Sequence, residues 1–129
     1  MGHQNVRVFS RKLRYRNTVV NLPDGRQHSF IVGEEKGIDV RIAIDVMRMA
    51  HRKEYDVAII FSQDQDLSEV ADEIRVIARE QDRWIKVVSA FPKRPTSRNT
   101  RGINHTDWLP IDRSMYDACL DARDYRPKT

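Results

Sequence analysis

Two carboxylates stand two residues apart in Ser62-Gln63-Asp64-Gln65-Asp66, directly after the apolar run Val57-Ala58-Ile59-Ile60-Phe61. A continuous apolar run of that length suits a strand buried on both faces, and hence a parallel sheet. In open α/β sheets, ligands bind beyond the carboxyl ends of the strands. Carboxylates at i and i+2 of a loop there can converge on one cation, and an all-oxygen ligand set favours Mg²⁺ or Mn²⁺. Asp66-x-x-Glu69 also fits a capping box that opens the next helix. That reading accounts for Asp66 and leaves Asp64 without a structural task. A third acid, Asp39, shares one side of a helical pattern with Ala43, Val46 and Ala50. It is therefore expected on a core-facing stripe, where an unpaired charge is costly. The helix dipole alone would also favour an acid at that position. The alternative is a metal site shared by Asp39, Asp64 and Asp66.

Around this acidic centre the chain is basic. Residues 1–32 hold six Lys/Arg against one Asp, residues 33–91 nine against thirteen acids, and residues 92–129 eight against five. The net charge is +4. Lys12, Arg14 and Arg16 are spaced to share one face of a strand. Residues 92–107 form a basic loop that carries Lys93, Arg94, Arg98 and Arg101. Both groups suit contacts to a nucleic-acid backbone. The row on the strand equally suits protection of a sheet edge, and the overall charge equally suits solubility.

The elements that must position these residues follow from periodicity. With 129 residues, the chain is one domain's worth of sequence. Val6–Phe9 reads as a short strand. Arg11–Leu22 and Arg26–Val32 flank Pro23-Asp24-Gly25, a turn signal in which Pro presets φ and Gly accepts positive φ. A helix is expected from Ile38 to about Arg52, a strand over Val57–Phe61, a helix through Leu67, Val70, Ala71, Ile74 and Ala78, and a strand over Trp84–Ala90. Helix–strand–helix–strand is the pattern of a doubly wound α/β sheet. Trp108–Ile111 is expected as an edge strand because Pro110 disfavours a central position. A short helix over Ser114–Leu120 and an irregular tail over 121–129 complete the chain.

The remaining residue types point to little chemistry. His3, His28, His51 and His105 lack ligand spacing, and Cys119, the single cysteine, is expected as a small packing residue. No apolar run approaches the roughly 20 residues that span a bilayer, and no secretory h-region is visible. A reduced, cytoplasmic setting without membrane partners is the expectation.

Glu34-Glu35-Lys36-Gly37-Ile38-Asp39-Val40, Tyr55-Asp56 with the apolar run, and Ser62 to Leu67 together resemble the NYN family of PIN-like nucleases. That family pairs a Lys-Gly-hydrophobic-Asp helix start with an apolar strand ending in Ser-Gly-Asp-x-Asp-hydrophobic. The resemblance covers residues 30–91. It implies a PIN-like three-layer sandwich around a mostly parallel sheet, here preceded by a β-hairpin. It also implies Mg²⁺- or Mn²⁺-dependent ribonuclease activity, with Asp39, Asp64 and Asp66 as catalytic metal ligands. Gln63 stands where the family has Gly. The family's first strand, which ends in a further metal-binding Asp, has no counterpart here, and Val6–Phe9 matches its second strand. Weak metal binding, slow cleavage and a homodimer that closes the exposed sheet edge are the consequences expected. The alternative is a non-catalytic nucleic-acid-binding or protein-interaction module on the same fold.

Overall fold

The computed structural model describes residues 6–126 and divides the chain into two compact units, Met1–Ile42 and Ala43–Thr129. In the first, β1 (Arg14–Asn21) and β2 (Gln27–Glu34) form an antiparallel hairpin in which Arg14 faces Glu34 and Asn21 faces Gln27. The turn forms as its residues dictate. The Gly25 N–H donates to the Leu22 carbonyl at 3.0 Å, the Leu22 N–H donates to the Arg26 carbonyl at 2.8 Å, and Gly25 takes φ +84°. Asp24 accepts from the Arg26 backbone at 3.0 Å and pairs with the same residue's guanidinium. That cation holds the Asp24 carboxyl below its ordinary range.

The hairpin begins at Arg14, so Lys12 lies before β1 instead of sharing its face with Arg14 and Arg16. Val6–Phe9 is irregular where a strand was expected. The Phe9 ring is instead taken up by two cations, with the Arg11 and Arg41 guanidinium carbons 5.4 and 4.4 Å from its centroid. Glu35 opens α1 (Ile38–His51) by accepting the Ile38 N–H at 2.9 Å. Gly37 sits at φ +85° with the Arg11 guanidinium 2.5 Å from where a Cβ would stand. The positive φ favours glycine there, whereas the arginine tip could shift aside.

The second unit holds a parallel sheet in the order β3 (Val57–Phe61), β4 (Lys86–Pro92), β5 (Asp107–Ile111). A 3₁₀ turn, Gln65–Leu67, leads into α2 (Ser68–Glu80), which joins β3 to β4. The α2 face Val70, Ala71, Ile74 and Ile77 is buried together with Val87, Val88, Ala90 and Phe91 of β4. Pro110 lies on an edge strand, as its missing N–H requires. A short α3, Arg113–Ala118, follows, capped by Asp112, and residues 121–126 carry no regular element. Among the described residues no helix is long and apolar enough to cross a membrane.

Two expectations are overturned here. β3 is not buried on both faces. Among the described residues it pairs with β4 alone, and alternate side chains Val57, Ile59 and Phe61 stay exposed while Ile60 is buried. Apolarity records what a strand tolerates on each face, not whether both faces are covered. Cys119 is exposed rather than packed, because it falls in the turn that ends α3.

Arg83 ties the base of this unit together. Its guanidinium donates to the carbonyls of Ala50 (2.9 Å) and Tyr55 (3.0 Å), to Gln81 (2.7 Å) and to the Asp56 carboxylate (3.1 Å). Beside it, the Tyr55 hydroxyl donates to the Val46 carbonyl at 2.6 Å. Burial pushes the Tyr55 phenol up to about 12 from an ordinary 10.0, against a smaller opposing pull from Arg83. The unfolded chain therefore releases this proton first as the pH rises. Stability conferred by the neutral phenol is complete below pH 10 and declines toward pH 12. Urea unfolding across that window should show the decline, and Tyr55→Phe should flatten it while lowering stability at neutral pH through loss of the hydrogen bond to Val46.

Candidate functional site

β3 ends abruptly. The Ser62 N–H turns back to the Ile60 carbonyl at 3.0 Å, and the Ser62 hydroxyl accepts the Asp64 N–H at 3.1 Å. Asp64, in extended conformation, then caps the 3₁₀ turn, its Oδ1 accepting the Asp66 N–H at 3.0 Å. The expected capping box led by Asp66 is not formed. The intervening 3₁₀ turn delays α2 to Ser68, whose preceding residue, Leu67, makes no side-chain cap. Asp64 has the structural task, and Asp66 has none. Among the described residues the Asp66 carboxylate takes part in no hydrogen bond or ion pair. Both acids are exposed at the carboxyl end of β3.

The amides that alternate with these acids point the other way. Gln63 Nε2 donates to the carbonyls of Arg101 (3.0 Å) and Asn99 (3.3 Å). Gln65 Nε2 donates to the Gly102 carbonyl at 2.9 Å, and its Oε1 accepts the Asn104 N–H at 2.8 Å. Below them the wholly buried Ser89 hydroxyl of β4 donates to the Ser62 carbonyl at 2.6 Å and accepts the Ile103 N–H at 3.1 Å. Ile103 is wholly buried. Its carbonyl accepts the Trp108 indole N–H at 2.9 Å, and that indole lies against Gly102, 2.5 Å from where a Cβ would stand. The acidic turn and the loop that follows β4 are thus one bonded assembly.

The model of the NYN domain matches residues 2–104. The chain belongs to the NYN family. Comparison with curated proteins and with solved structures returns no match. Membership brings with it a PIN-like, nuclease-type fold, and the mixed α/β architecture with a parallel three-stranded sheet is compatible with it. The family's usual Gly between Ser and the first Asp is Gln63 here, and its amide spans two loop carbonyls.

The other expected site residues of this NYN chain fall into separate groups. Asp39 belongs to the first compact unit, in the first turn of α1, and is exposed rather than core-facing. The stripe it was read from fades toward its N-terminal end: Ala50 is buried, and Ala43 and Val46 are half-buried. Arg16 is committed to Glu34 at 2.7 Å, and Lys36 approaches the same carboxylate at 4.0 Å. Arg14 is exposed on β1, and Lys12 is exposed before it. Lys93 and Arg94 lie past the end of β4, while Arg98 and Arg101 are exposed farther along the loop. Among the described residues no group of three or more His, Cys, Asp or Glu side chains is gathered so as to hold a metal ion.

Ser89, Gln63 and Gln65 escaped the reading of the sequence. No local signal marked them, since these side chains reach backbone groups 14 to 39 residues away. Replacing Ser89 by Ala would orphan the buried Ile103 N–H, at about 1–3 kcal/mol for a group left buried and unpaired, and would take the donor from the half-buried Ser62 carbonyl. Chemical denaturation of Ser89→Ala should therefore show a loss of at least about 1 kcal/mol. A variant as stable as the parent would remove this hydroxyl from the account of the turn.

Proposed function

We propose that this NYN chain is a divalent-metal-dependent ribonuclease domain. The observation that carries the reading is the outward pair Asp64 and Asp66, fixed on a bonded turn at the carboxyl end of a parallel strand. Their chemistry fits Mg²⁺ or Mn²⁺. All donors are hard oxygens; Asp66 offers both of its oxygens, and Asp64 offers Oδ2 beyond the one used in capping. Mg²⁺ is commonly held by one or two carboxylates, with waters and substrate phosphate completing its shell. Two carboxylates make a thin set, so weak binding in the absence of RNA is expected. The family resemblance gives Asp39 the same role, and its position in the first turn of α1 keeps that carboxylate at the surface.

When bound, such an ion supplies Lewis acidity toward a phosphate oxygen. The chain's own part is positional. Ser62 and Asp64 fix the turn through backbone donors, so Asp66 is presented without a competing structural partner. Gln63 and Gln65 hold the basic loop beside the acids, keeping Arg101 adjacent to the turn. The fold is read as the three-layer PIN-like sandwich, with RNA as the partner and the cytoplasm as the setting. The thin donor set favours one alternative, a non-catalytic RNA-binding module on the same fold.

Cleavage of single-stranded RNA in Mn²⁺, with and without chelator, separates the two. The nuclease reading expects chelator-sensitive cleavage that falls by at least about tenfold in Asp64→Asn, Asp66→Asn and Asp39→Asn, a loss of about 1.4 kcal/mol of transition-state stabilisation. Asn caps a helical turn as well as Asp, so Asp64→Asn should melt with the parent. Binding without cleavage in any divalent ion would favour the non-catalytic module.

A further inference from the structure

Past the ends of β4 and β5 the second unit opens a groove of about 670 Å³. Its walls include Pro92, Lys93, Arg94, Pro95, Arg113 and Tyr116. Resting on the nuclease reading, we propose that this groove is the subsite for an unpaired nucleotide of single-stranded RNA, with the base stacked on Tyr116 and the flanking phosphates held by Lys93, Arg94 and Arg113.

Three observations converge on that ligand. The first is charge. Three cations face one acid, Asp112, and that carboxylate is already engaged, accepting the Met115 N–H at 2.8 Å as the cap of α3. Among the described residues Lys93 and Arg94 enter no ion pair, while Arg113 shares its charge with Asp117 at 2.8 Å through Nε and keeps its terminal nitrogens. The second is an aromatic face. Tyr116 is 59% exposed, on a helix turn pinned by the Tyr116 N–H to the Asp112 carbonyl. An exposed ring beside cations is how proteins hold unpaired bases, and it offers nothing to a base still stacked in a duplex. The third is rigidity and place. The Lys93 N–H donates to the Ile111 carbonyl at 2.9 Å, which extends the β4–β5 ladder to the groove floor. Arg94 and Ser97 close the rim by reciprocal bonds of 2.8 and 3.0 Å. Because the three strands are parallel, the groove opens at the same end of the sheet as Asp64 and Asp66. The two strands it caps lie about 5 and 10 Å from β3 at the spacing of a sheet, so one RNA strand crossing that end meets both.

The test measures binding of a short fluorescent oligouridylate by the full chain in chelator, so that no step depends on metal. Tyr116→Ala should weaken binding by about 5- to 150-fold, the range for loss of one base–aromatic stack, while Tyr116→Phe should not. Lys93→Gln combined with Arg94→Gln should flatten the log–log salt dependence by about 1.4, two phosphate contacts on a single strand. Circular dichroism of each variant separates these losses from unfolding. A Tyr116→Ala chain that is folded and binds like the parent overturns the proposal. So does a duplex of equal length that competes equally, or polyglutamate that competes as well as oligouridylate. The last result would assign the groove to acidic protein. Cleavage in Mn²⁺ that is indifferent to Tyr116 rejects the groove and keeps the nuclease reading. Binding through Tyr116 without cleavage does the reverse.

Discussion

The Ser89 hydroxyl holds together the acidic turn after β3 and the loop that follows β4. It is wholly buried and makes two bonds, one given to the backbone where β3 ends and one taken from the backbone of the loop after β4. A buried hydroxyl with both functions satisfied rigidifies its surroundings, whereas one left half-satisfied would weaken them. Ile103 is fixed through this atom, and Trp108 and Gly102 close on Ile103. Gln63 and Gln65 then bind the loop backbone from above. The 93–106 segment connects two parallel strands without a helix, a connection that usually needs one. What replaces the helix is this lattice of side-chain bonds, together with the His105–Asp72 pair at 2.8 Å and the bond from Arg75 to the His105 carbonyl at 3.0 Å.

The sequence disclosed elements better than surroundings. The Pro-Asp-Gly turn, the two long helices, the β3 run and the edge position of Pro110 all follow from local chemistry, and each is found within a few residues of its expected place. Local rules failed where a neighbour decided the outcome. Val6–Phe9 has strand-like residues, yet Phe9 is claimed by two arginines, one of them from α1. Asp66 has the spacing of a cap, but the extra 3₁₀ turn hands the cap to Asp64. Asp39 lies on the right helical stripe at the end where that stripe is exposed. The placement of the acidic pair was legible, because carboxylates directly after an apolar strand must lie at its carboxyl end. Its supports were not, because nothing in a glutamine announces which carbonyl it will reach.

The resulting electrostatics are divided in a way the net charge of +4 conceals. At one end of the sheet stand two outward carboxylates, and at the same end a groove lined by three cations. A polyanion is drawn toward the groove and repelled by the turn until a cation neutralises the acids. On the proposed reading, capture and cleavage of RNA would be separate events at the same end of the sheet, and the first would need no metal.

The alternation of the Gln63–Asp66 stretch has a consequence for how such a domain can change over generations. The amides carry the architecture and Asp66 carries none of it, so the fold has no means of sensing the loss of that carboxylate. Asp64 is only partly shielded in the same way, since asparagine can inherit its cap. On the nuclease reading, losing the Asp66 carboxylate would therefore turn hydrolysis into simple binding at no cost in stability. The turn that would position a restored acid stays in place, because it is held by Gln63, Gln65 and Ser89 and not by the acid itself.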